Sequence, residues 1–199
     1  NTDGIIIKLL NKDTDFIKYI CNEWEKRTRM TLDLETFIRI YQKDVNNYII
    51  IREDGSYKSK GAYLKKLDVL DNDLPIVNKA LVNYFTKQIP LEETIRSTTN
   101  LMEFQKIVKV SSKYMYATHG NKILPERVLR VFASRSKLDA GVFKHKTLER
   151  SEKIANTPER CFIENSNVSA MMIPVKLDIK WYIEVAKKRL NDFLAGGGN

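Results

Sequence analysis

The chain has 199 residues, enough for one large domain or two small ones around a real buried core. Apolar residues make up 43% of it and charged residues 30%, which excludes a disordered chain, a collagen and a low-complexity linker. The net charge is +9, and the stretch from Gln105 to Lys153 holds twelve Lys or Arg against four acids, so that stretch alone carries +8.

The chain opens on Asn1 rather than Met, with no charged leader before its first apolar run, and reads as a piece of something longer. Gly4 to Leu10 is a short β-branched run expected to form a buried strand. Phe16, Ile17, Ile20 and Trp24 then recur at helical spacing, opened by Thr14 or Asp15 and running to about Arg29, which predicts an amphipathic helix laid on a sheet. Leu32 to Ile40 resumes extended character, and Val45 to Arg52 predicts a strand. Asp54-Gly55 signals a hairpin of the primed type, with Tyr57 to Leu64 as the return strand.

After Lys65-Lys66 the period changes. Leu74, Ile76-Val77, Ala80-Leu81 and Tyr84-Phe85 predict a helix opened by Asn72 or Asp73 with Pro75 in its first turn. A second helix is expected after Pro90, and Leu101, Phe104-Gln105 and Val108 suggest a third ending near Ser111. Short extended pieces follow at Arg127 to Ala133, Gly141 to Lys146 and Arg160 to Glu164. A last amphipathic helix starts at Asp178 and carries Trp181-Tyr182, Val185-Ala186, Leu190 and Phe193, ahead of a glycine-rich tail over 195–199.

No apolar run approaches the roughly 20 residues that span a membrane. Cys21 and Cys161 are too few for a disulfide framework or a zinc knuckle, which points to a reducing, cytoplasmic setting. His119 and His145 have no second ligand at metal spacing, and neither a phosphate-cradling glycine loop nor a Gly-x-Ser-x-Gly elbow is present. The cationic stretch, interleaved with Ser, Tyr and Phe, suits a polyanion, although a solvated basic face has the same composition. Tyr114 and Tyr116 within it serve equally as packing or as contact residues.

What is left is Asn1-Thr2-Asp3-Gly4 ahead of Ile5-Ile6-Ile7. This stretch resembles the Asp-Thr-Asp-Ser-hydrophobic motif of family B DNA polymerases. Further segments are similar to the same family in the same order. Asn46-Asn47-Tyr48 lies where that family has Lys-Lys-x-Tyr, Lys60-Gly61 matches its Lys-Gly, and Leu177-Asp178-x-x-Trp181-Tyr182-Ile183 matches the Asp-x-x-Tyr-Tyr-Ile that opens the thumb helix. The phrasing of Lys43 to Tyr48, Asp73 to Ala80 and Val108 to Tyr114 is closest to the phage-borne branch.

The resemblance covers Asn1 to Phe193 and implies an α+β fold. Residues 1–68 would be the carboxy-terminal part of an antiparallel palm sheet with a packed helix, and 69–194 a mainly helical thumb with small β elements. It implies that Asp3 is a catalytic carboxylate and Mg²⁺ ligand, Mg²⁺ preferring oxygen donors. The second carboxylate of a two-ion site would lie before residue 1. It further implies primer-template DNA as a partner, with dNTP reached through that missing upstream part, in a monomeric protein. The isolated piece is then expected not to extend a primer.

Tyr48, Lys58 and Lys60 are the expected contacts near the primer end, and Lys109, Ser111, Ser112, Lys113 and Tyr114 the expected contacts to duplex. Two departures stand out: Asn1 replaces the first acid of the motif, and Asn46-Asn47 replace two lysines, a loss that Lys43 would offset. The competing readings are a non-catalytic basic DNA-binding module, with Asp3 a turn residue, and a basic structural protein facing an acidic partner.

Overall fold

The chain is described by a computed structural model over residues 5–9, 13–61, 63–64, 73–169 and 171–195. Helix α1, Thr14–Thr28, is capped by Asp13, whose carboxylate accepts from the Phe16 amide, and it ends where Arg29 turns left-handed (φ 59°). The cap therefore falls one residue before the expected Thr14 and two before the alternative Asp15. The helix forms as its periodicity dictates but does not pack on a sheet: none of its residues is buried, and Phe16, Tyr19, Ile20 and Trp24 are all exposed.

Residues 5–9 likewise form no strand. Ile5, Ile6 and Ile7 are exposed, and no strand ladder reaches them among the described residues. A β-branched run supplies the propensity for a strand, but only a hydrogen-bonded neighbour makes one.

Strands β1 (Arg39–Asp44), β2 (Asn47–Ile51) and β3 (Tyr57–Lys60) form an antiparallel meander in that order. The β2–β3 connection differs from the primed turn expected at Asp54-Gly55. Only Gly55 has positive φ (79°), Gly55 N–H donates to Arg52 O at 3.1 Å, and Arg52 N–H donates to Ser56 O at 2.9 Å. The connection is a turn closed by one left-handed glycine, in which the Asp54 carboxylate accepts from Ser56 N–H at 2.8 Å.

Helices α2 (Pro75–Lys87), α3 (Leu91–Ser97) and α4 (Ile179–Leu194) enclose the larger core with this meander. The expected cap Asp73 serves otherwise. Its carboxylate takes Lys106 Nζ at 2.6 Å and Ile107 N–H at 2.9 Å, while Leu74, left-handed at φ 52°, occupies the cap position of α2. The expected alternative Asn72 lies outside the described residues. Asp178 does cap α4, accepting from Trp181 N–H.

The larger core joins Ile49 and Leu64 to Phe85, Phe104, Phe132, Tyr182 and Phe193. Packing thus crosses the boundary expected at 68/69, which itself lies outside the described residues.

Between α3 and α4 the described residues form seven short strands. The predicted third helix is replaced by a 3₁₀ turn, Leu101–Phe104, and strand β4, Lys106–Lys109. Apolar spacing favoured a helix there, but β4 finds a partner in β7 (Val128–Ala133), which also pairs β10 (Cys161–Ile163). Strands β5 (Tyr116–His119), β6 (Lys122–Leu124), β8 (Val142–His145) and β9 (Ser151–Lys153) make a four-stranded antiparallel sheet in the order β6-β5-β8-β9. The chain is α+β, with helices framing small sheets.

The second core is built by Val108, Val110, Tyr114, Ala117, Leu129, Val131, Val142 and Cys161. Burial, and after it the nearby Asp139 carboxylate, pushes the Cys161 thiol up to about 12. Thiolate is the reactive species, so at mildly alkaline pH iodoacetamide should label half-exposed Cys21 and leave Cys161 intact in the native protein. Mass spectrometry of the labelled chain reads this, and equal labelling of both would mean that β10 is not held in the core.

Candidate nucleic-acid interface

In an antiparallel ladder, residues directly opposite one another share a face, and alternation then sorts the rest. Tyr48 on β2 stands opposite Lys60 on β3 and Gln42 on β1, and Lys58 lies on the same face opposite Ile50. The other face carries Tyr41 and Ile49 into the larger core. Two segments singled out separately in the sequence are therefore brought together as one half-buried tyrosine beside one exposed lysine.

The three lysines around this meander have different fates. Lys60 has no ion pair among the described residues. Lys58 is held at 3.2 Å by Glu35, which also binds Arg52 at 2.6 Å. The hydrogen bond from Arg52, then that from Lys58, holds the Glu35 carboxyl below the usual carboxylate range. Lys43 does not offset the missing lysines, because its Nζ donates to Asp192 O of α4 and lies 4.9 Å from the centre of the Tyr63 ring.

Asn46 and Asn47 instead build the turn between β1 and β2, where Asp44 accepts from Asn46 N–H at 2.8 Å and Asn47 Nδ2 at 2.9 Å. The Asn47 bond is the main reason that the Asp44 carboxyl sits below its ordinary range.

The second group of expected contacts follows β4. Lys109, Ser111, Ser112 and Lys113 are exposed along the strand end and the turn into β5. Tyr114 is not available as a contact: it is 8% exposed in the second core, and its hydroxyl donates to Glu152. Lys144 lies 4.5 Å over its ring and 3.0 Å from the Glu152 carboxylate. The Tyr114 hydroxyl first, and Lys144 second, keep the Glu152 carboxyl low. The aromatic that the sequence placed among contact residues thus packs beneath them.

Arg127 is the organiser that the sequence reading missed. Its guanidinium donates to the carbonyls of Ser111 (3.2 Å), Tyr114 (3.1 Å) and Met115 (3.2 Å), which fixes the turn that presents Lys113. No local pattern signals a guanidinium spent on distant backbone carbonyls.

Of the twelve cations in the basic stretch, Lys106, Lys144 and Lys153 are ion-paired, to Asp73, Glu152 and Glu159. Lys109, Lys113, Lys122, Arg135, Lys137, Lys146 and Arg150 have no ion pair among the described residues. Such unspent, exposed charge is what a phosphate backbone requires.

Asp3, the expected catalytic and Mg²⁺-binding residue, lies outside the described residues. Among those described, no group of three or more His, Cys, Asp or Glu could hold a metal ion, and no helix is long and apolar enough to cross a membrane. No protein-family model matches the chain, and no curated protein matches it.

Proposed function

We propose that this chain is the carboxy-terminal palm and thumb part of a phage-type family B DNA polymerase, and that its work is to hold primer-template duplex by the backbone. The observation that carries the reading is the register that sets Tyr48 opposite Lys60. The family resemblance rests on these residues as two separate short motifs, and their adjacency on one face of the meander supports a common ligand.

A polymerase must accept every template, so its duplex grip goes to phosphate and sugar rather than to base edges. Lys60, Lys109 and Lys113, which have no ion pair among the described residues, with the hydroxyls of Ser111 and Ser112, are donors of the right type. Asp3 would contribute one oxygen ligand to Mg²⁺ beside a second carboxylate supplied from elsewhere in the polymerase, the ion serving to activate the primer hydroxyl and hold the triphosphate. The reading further implies dNTP as the co-substrate, a cytoplasmic setting and a monomeric polymerase.

The test is a titration of primer-template duplex in two unrelated sequences over about 50 to 200 mM salt. Lys109→Ala with Lys113→Ala should weaken binding to both sequences alike and flatten the salt slope by roughly 1 per lost phosphate contact. An unchanged slope, or a loss confined to one sequence, overturns the assignment.

A further inference from the structure

The sheet β6-β5-β8-β9 has a second face that the duplex reading does not use. Ala117, Val142 and Leu124 line the side turned to the second core. Alternation places Tyr116, Thr118, Ile123, Phe143 and His145 on the opposite side. Ile123 is 65% exposed there and Phe143 37%.

On this outer face Tyr116 and His145 are cross-strand partners whose rings stack at 4.6 Å and 20°. His145 Nε2 lies 3.0 Å from Thr118 Oγ1, which fixes the imidazole in that stack. Phe143 stands two residues before His145 on the same strand, about 6.7 Å away at the ordinary strand rise. The face therefore carries a braced aromatic pair and a further exposed ring in a row.

The charge around it is one-sided. The loops that meet the Tyr116 and His145 end of the sheet carry Lys113, Arg127, Lys146 and Arg150 against Glu126 and Glu149. On the sheet itself Lys144 and Glu152 balance one another, and Lys153 is paired with Glu159 from the segment that follows β9.

We propose that this face binds single-stranded nucleic acid, its bases stacking on Tyr116, His145 and Phe143 while Lys113, Lys146 and Arg150 take the phosphates. Base faces are covered by neighbouring pairs in a duplex and open only in a single strand, so aromatic rings on a sheet select the unpaired form. Cations alone would not discriminate. This inference stands apart from the polymerase reading, because failure of the Lys109 and Lys113 salt test would leave the aromatic face intact.

The experiment titrates the whole chain with a labelled oligo(dT) of about 16 nucleotides, a length at the upper end of a stacking site, and with a blunt duplex of similar length. Tyr116→Ala should weaken oligo(dT) binding about tenfold and leave duplex binding little changed, and Tyr116→Phe should retain affinity. Phe143→Ala, at a ring already partly in solvent, should weaken oligo(dT) binding severalfold, and it decides the matter if Tyr116→Ala fails to fold. Three results overturn the proposal: no binding of oligo(dT) by the unaltered chain, unchanged affinity in Phe143→Ala and folded Tyr116→Ala, or equal losses on oligo(dT) and duplex.

Discussion

Phe85→Ala is expected to destabilise the protein by about 3–5 kcal/mol, the range for emptying a fully buried phenyl site. Phe85 is 1% exposed and sits where three elements converge. Its ring lies 4.7 Å from Tyr41 of β1, 5.3 Å from Phe193 of α4 and 5.3 Å from Tyr84 on its own helix. Those neighbours are held by separate elements, so they cannot collapse together into the space left behind.

For a chain of this size the loss corresponds to a fall in Tm on the order of 10 °C. Tyr84→Ala is the internal comparison: that ring is 38% exposed, and its removal opens a surface dent rather than a cavity. A thermal melt of both variants reads the difference. Equal, small losses would mean that α2, α4 and the meander do not share one core, and the two halves of the chain would then unfold independently.

The elements whose instructions are local were legible in the sequence. The spacing that ends in Trp24 gives α1, Pro75 and Pro90 open α2 and α3, and Asp178 caps α4. The parts that were not legible depend on partners distant in the chain. Leu101 to Val108 has helical spacing, yet the pairing of Lys106–Lys109 with β7 draws it into a strand. Asp73 has the chemistry of a cap, but Lys106 and the Ile107 amide compete for its carboxylate and win.

Gly4 to Leu10 has the composition of a buried strand, yet residues 5–9 pair with no strand among the described residues. The same division runs through the candidate site. Lysines could be counted in advance, whereas Lys58 and Lys43 are spent on Glu35 and on the end of α4, and Tyr114 packs inward. Burial of a single tyrosine and the pairing of a single lysine are decided by tertiary contacts that no short window contains.

Gly61→Ala should cost stability and duplex affinity together, which ties the fold to the proposed site. Gly61 follows β3 with φ at 109°, a backbone conformation that side chains strain to adopt, worth about 1–3 kcal/mol by itself. A Cβ there would stand 2.1 Å from Asn47 Oδ1 and 2.6 Å from the Asn46 carbonyl oxygen. The Asn47 side chain can rotate away at the expense of its bonds to Asp44, but the Asn46 carbonyl belongs to the turn itself.

The turn between β1 and β2 must therefore shift, and Tyr48 begins immediately after it. Lys60→Ala separates the two effects, since it removes an exposed ammonium without touching the turn, and should lower duplex affinity while leaving the melt unchanged. If Gly61→Ala melts and binds duplex like the unaltered chain, the close approach of β3 to that turn is absent in solution. If Lys60→Ala binds duplex like the unaltered chain, the face shared by Tyr48 and Lys60 is not the one that meets DNA.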